Sequence, residues 1–141
     1  MNLKKNTLTS LTSIKSNMNQ SIRIAAPATV SNVGPGFDLM GFALEEPIDI
    51  MQIKRNKLNS LRIFNESEAS IPTDPAKNVS SVAIQALLDK LQINDGFDLI
   101  FEKKINPGSG IGSSAASCTA AVFGVNQLLG EAMTNLELIE Y

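Results

Sequence analysis

The sequence predicts an α+β fold, and three observations lead there. Several strand-like runs come before the first helical period. The polar turns between those runs are short, which favours antiparallel pairing. One long segment following a glycine-rich stretch is apolar almost all round, as a helix buried in a core must be.

Taken in order, residues 1–20 are rich in Ser, Thr, Asn and Lys and hold no acidic residue. They lack a sustained apolar period, so a disordered extension is expected there. Ser21–Ala26 alternates as a strand does, and the Pro, Gly and Asn of Pro27–Phe37 read as a loop. Ile48–Arg55 and Ser60–Phe64 read as two strands joined by the polar turn 56–59. Pro72 and Pro75 make 66–77 a loop. Val79, Val82, Ala83, Ala86, Leu87 and Leu91 recur at helical spacing and define one amphipathic helix. Phe97, Leu99 and Phe101 alternate with Asp98, Ile100 and Glu102 as a further strand. Ser113–Leu129 is the buried helix. Thr134 or Asn135 can cap a last helix, whose pattern is cut at Tyr141, so an incomplete domain over residues 21–141 is expected.

Composition narrows the chemistry. The chain has 141 residues, 43% of them hydrophobic and 18% charged, with a net charge of −2. That charge offers no electrostatic footprint for nucleic acid, and no nucleic-acid partner is expected. No apolar run approaches the roughly 20 residues that span a bilayer, so no membrane partner is expected. The single cysteine cannot form an internal disulfide and fits a reducing, cytoplasmic setting. Histidine is absent, which removes Ser-His-Asp and Cys-His couples and histidine-bound zinc within the chain.

The densest chemical signal is Asn106-Pro-Gly-Ser-Gly-Ile-Gly-Ser-Ser-Ala-Ala-Ser-Cys118. Gly108, Gly110 and Gly112 free every second residue for positive φ and close approach of a ligand. Ser113 and Ser114 fall where a helix begins, and a helix start offers unpaired N–H groups and partial positive charge to an anion. The stretch lacks the lysine of the Walker pattern. It matches the dinucleotide fingerprint at Gly110–Ala115, but not at the first βα turn where that fingerprint belongs. A connector that merely packs the helix is the plain structural alternative, and helix capping is the plain alternative for both serines.

These residues carry a resemblance. Asn106–Ser117 resembles the phosphate-binding motif of the GHMP kinases, the group that contains galactokinase and the homoserine, mevalonate and phosphomevalonate kinases. Ala26-Pro-Ala-Thr-Val-Ser-Asn-Val-Gly-Pro-Gly-Phe-Asp-Leu-Met-Gly41 is similar to the substrate motif of the homoserine kinases within that group, and Pro72–Val79 agrees. The resemblance implies a ribosomal-protein-S5-like α+β domain, a mostly antiparallel sheet with helices on one face, truncated at its C-terminus. It implies ATP-dependent phosphorylation of the L-homoserine hydroxyl to O-phospho-L-homoserine, with ATP and Mg²⁺ as cofactors. It leaves a homodimer open for the full-length protein. Pro107, Gly108, Ser109, Gly110, Ile111, Gly112, Ser113, Ser114, Ala115 and Ala116 would hold the nucleotide phosphates. Ser114 would ligate Mg²⁺ and act in catalysis. Asn32 and Asp38 would hold the substrate ammonium, with Asp38 counted among the catalytic residues and no general base assigned. Another GHMP small-molecule kinase, such as mevalonate kinase, and a non-catalytic nucleotide- or RNA-binding module are the alternatives. Asn78 is read as a helix cap ahead of a nucleotide contact, Lys103 and Lys104 as a solvated strand end, and Cys118 as core.

Overall fold

The computed structural model describes residues 20–37 and 39–141. The expected extension at 1–20 therefore lies almost wholly outside the described residues, as does Asp38.

Four strands form one sheet: β1 (Ser21–Ser31), β2 (Gly41–Asn56), β3 (Leu61–Asn65) and β4 (Gly96–Glu102). Helices α1 (Val79–Leu91) and α2 (Ser113–Leu128) complete the core. The sheet order is β1-β2-β4-β3, with β1/β2 and β2/β4 antiparallel and β3/β4 parallel. The chain is thus α+β with a mostly antiparallel sheet. Alternation puts Ile22, Ile24 and Ala26 of β1, Met51 and Ile53 of β2, Ile63 of β3, and Phe97, Leu99 and Phe101 of β4 on one face. The core lies on that face, against Ile84, Leu87 and Leu88 of α1 and Ala120, Ala121, Val125 and Leu128 of α2. Gly124 lets α2 lie close to the sheet. A Cβ there would come within 2.5 Å of Ile53 Cδ1 and 3.0 Å of Ile24 Cγ1.

Several elements depart from the expectation. Strand β1 runs on through Pro27 to Ser31, with a register shift between Pro27 and Thr29. Pro27 is tolerated because β1 is an edge strand with a partner on one side only. Strand β2 likewise starts at Gly41, since its first residues pair with Thr29–Ser31.

The strands β2 and β3 do not form the hairpin that a short turn suggests. Instead β4 lies between them, and β3-α1-β4 is a parallel crossover unit. The strand with three buried large side chains, Phe97, Leu99 and Phe101, takes the interior position. The 56–60 turn is held by its own chain, with Leu58 N donating to Asn56 Oδ1 at 2.9 Å and Asn56 Nδ2 to Ser60 O at 3.1 Å.

Helix α1 is rotated from the face read in the sequence. Val79 and Val82 are exposed, whereas Ile84 and Leu88 are buried with Ala83 and Leu87. At the C-terminal end, Thr134 Oγ1 accepts from Glu137 N and the Glu137 carboxylate accepts from Thr134 N, a reciprocal capping pattern. The element that follows is a single 3₁₀ turn, Glu137–Glu140, with Leu136 at its N-cap, rather than an α-helix. Among the described residues no helix is long and apolar enough to cross a membrane.

Candidate active site

Strand β4 delivers the chain to the edge of the core, and α2 takes it back along the sheet. Between them stand the glycines. Gly108, Gly110 and Gly112 have φ of +79°, +78° and +77°, so the alternating glycines are used for the positive φ that their spacing implies. Among the described residues no heavy atom would lie within 4 Å of a Cβ added at Gly108 or Gly110, so this part of the loop faces open space there. Gly112 is different. A Cβ there would sit 2.2 Å from Thr29 Oγ1, and Thr29 N donates to Ile111 O at 3.0 Å. Strand β1 is thereby fastened to the end of the loop.

Gly112 is also the N-cap of α2, and among the described residues no side chain caps this helix. The first α-helical bond runs from Ala116 N to Gly112 O at 2.8 Å. The N–H groups of the preceding turn are the orphan donors that every helix start carries. The two serines separate by role. Ser113 is buried and its Oγ donates to Ile105 O at 3.1 Å. Ser114 is exposed, as is Ala115. Capping, the plain alternative for both serines, is not what either does.

A cavity of about 180 Å³ adjoins this helix start, with Ile71, Asn78, Phe101, Lys103, Pro107 and Ser114 among its lining. Asn78 spends both ends of its amide inside the protein: Oδ1 accepts from Ser80 N at 3.0 Å and Nδ2 donates to Pro72 O at 2.8 Å. The cap reading of Asn78 is the one found. Cys118 is half-buried against the core, and burial pushes its thiol above the ordinary range, away from nucleophilic use.

Asn32 follows β1 directly, exposed, with φ of +59°. At about 3.3 Å per extended residue it stands about 10 Å along the chain from Thr29, the residue bonded to the glycine loop. The structure thus brings the Asn32 segment and the Pro107–Ala116 loop to one end of the sheet.

Two residues near the loop were misjudged or missed. Lys103 is not a solvated strand end. It is buried and paired with Asp49 of β2, a residue to which the sequence drew no attention. The signal was present: alternation of Phe97, Leu99 and Phe101 carries inward to position 103, and that of Met51 and Ile53 to position 49.

Comparison with known proteins fits this geometry. Residues 78–141 match the family described as GHMP kinases N terminal domain. The fold is shared with the mevalonate kinase of Methanococcus jannaschii, at a TM-score of 0.66 and 18% identity. In sequence and in fold the chain is similar to the N-terminal part of GHMP kinases. Within that family, a homoserine kinase from Methanococcus vannielii is 36% identical over 124 residues, 86% of this chain and 41% of the relative. One from Natronomonas pharaonis is 38% identical over 118 residues, 84% of this chain and 38% of the relative. The crystal structure of homoserine kinase from Cytophaga hutchinsonii superimposes with a TM-score of 0.82 at 40% identity, covering 87% of this chain and 40% of that one. The chain spans about two-fifths of the length of the curated relatives it matches.

Proposed function

We propose that this chain supplies the phosphate-binding part of an ATP-dependent kinase that phosphorylates the side-chain hydroxyl of L-homoserine to give O-phospho-L-homoserine. The observation that carries this reading is the uncapped start of α2 beneath three positive-φ glycines, two of them facing open space. An uncharged loop of this shape holds an anion through main-chain N–H groups and the helix dipole. The names of the relatives support homoserine as the acceptor.

Phosphoryl transfer asks for positioning and charge neutralisation more than for covalent chemistry. Residues Pro107–Ala116 would wrap the phosphates, and the cavity beside Pro107 and Ser114 offers the nearest room for the nucleoside. The exposed Ser114 hydroxyl fits Mg²⁺, a hard ion that takes oxygen donors, keeps waters and needs few protein ligands when phosphates supply the rest. When bound, that ion would neutralise charge on the phosphates. Asn32 and Asp38 would receive the acceptor's ammonium through charge-assisted hydrogen bonds and so aim its hydroxyl. No group is assigned as general base.

The test is ADP release by the complete protein offered L-homoserine, mevalonate and galactose in turn. Turnover with homoserine alone is expected. Preference for mevalonate or galactose would move the acceptor elsewhere in the family, and no ADP release with any of them would remove the kinase reading.

A further inference from the structure

A buried ion pair sits beneath the glycine loop, and the proposed chemistry does not use it. Asp49 and Lys103 continue the β2/β4 register, in which Ile50 faces Glu102 and Met51 faces Phe101, and their side chains are 7% and 3% exposed. The Lys103 ammonium has three hydrogens, and the structure gives it three acceptors: the Asp49 carboxylate, Ser117 Oγ at 2.9 Å and Ser113 O at 3.3 Å. The other Asp49 oxygen accepts from Lys104 N at 2.7 Å and Ile105 N at 2.8 Å. Ser113 Oγ closes the circuit on Ile105 O at 3.1 Å. The segment that begins the loop and the first turn of α2 are therefore tied together through one pair, while residues 106–110 stay exposed.

Buried pairs are poor sources of stability, because desolvation offsets most of the attraction. An apolar pair would fill the same space, yet it would leave two amides, a carbonyl and a hydroxyl without these partners. The geometry points to Asp49 and Lys103 as positioning residues of the glycine loop, which fix its two ends against each other, with the Lys103 ammonium at the wall of the cavity beside Pro107 and Ser114 held by three acceptors inside the protein. This deepens the reading of the loop as a nucleotide site and rests on it.

Lys103→Met, Asp49→Asn and the double variant separate the cases, all studied at a temperature where circular dichroism shows them folded. Hydrogen exchange without nucleotide is read first. Amides of 104–117 should exchange faster in each variant, with those of β3 and α1 unchanged. Calorimetric titration with the magnesium complex of a non-hydrolysable ATP analogue is read second, over a series of salt concentrations. Affinity should fall about tenfold in Lys103→Met, the scale of other outer-shell positioning groups, with the salt dependence of wild type. The double variant buries no charge and should regain melting temperature without regaining affinity or protection.

Unchanged exchange over 104–117 in folded Lys103→Met would overturn the proposal. So would a flatter salt dependence, which marks a direct contact between Lys103 and phosphate, or full recovery of affinity in the double variant, which marks a purely structural pair. If the wild-type chain fails to bind the analogue, the nucleotide reading fails, and the exchange data still decide whether the pair pins the loop.

Discussion

The two helices of this domain begin in opposite ways. At the start of α1, Asn78 is 4% exposed and its side chain satisfies Ser80 N. Asp74 O accepts from Lys77 N and Asn78 N, and Ser81 Oγ donates to Pro75 O at 2.6 Å. The chain fills this end itself. At the start of α2 a glycine stands in the capping position, the first serine turns away to Ile105 O, and the next two residues are exposed. Every helix start has the same unpaired donors. Where neighbouring residues quench them, the end is architecture; where neighbouring residues withhold a partner, the end is available to a ligand.

Substitutions can break or sharpen that contrast, the most damaging first. Gly112→Ala places a methyl 2.2 Å from Thr29 Oγ1 at a φ of +77°. The loss of stability should be about 3 kcal/mol, combining backbone strain with overpacking, and nucleotide affinity should fall with it; urea unfolding and calorimetry measure both, and wild-type stability would mean that β1 and the loop yield easily. Ser114→Ala should leave stability within about 0.5 kcal/mol. In the complete protein, turnover should drop on the order of 10²-fold, as when one preorganised polar group is lost from a charged transition state. Wild-type turnover would remove Ser114 from the metal role.

Asn78→Ala tests the closed end. It should cost about 1–2 kcal/mol in urea unfolding, and hydrogen exchange of the 106–112 amides should not change. Faster exchange there would show that the two helix starts are coupled. Gly108→Ala gives the smallest effect. With nothing within 4 Å among the described residues, the φ of +79° is what opposes the methyl, so about 1 kcal/mol is expected. A cost equal to that of Gly112→Ala would show that conformation, and not contact with Thr29, sets the penalty at both glycines.

The open end was legible in the sequence and much of the rest was not, for physical reasons. Three glycines at every second position leave few backbone options, and an almost wholly apolar helix can only be buried; the structure ends that helix at Leu128, one residue before the expected Leu129. The sheet was harder. Pro27 breaks a central strand and is harmless on an edge, and nothing local to β1 says which it is. The turn after Asn56 has hairpin length, yet pairing is decided by β4, forty residues on, whose aromatic face takes the interior. In α1, Val79 and Val82 fit a helical period as well as Ile84 and Leu88 do, and only packing into the core selects between them. Lys103 was misread because composition favours solvent for lysine, although alternation along β4 pointed it inward. The Asn32 side of the candidate site rests on motif resemblance, and Asp38 lies outside the described residues.

The close seating of Gly124 has a mechanical consequence. With no side chain between its backbone and Ile53, α2 has no cushion on which to slide. Shear of packed elements needs such slack. The helix and the strands beneath it must therefore travel as one block, and any adjustment to an arriving ligand falls to the segments flanking that block.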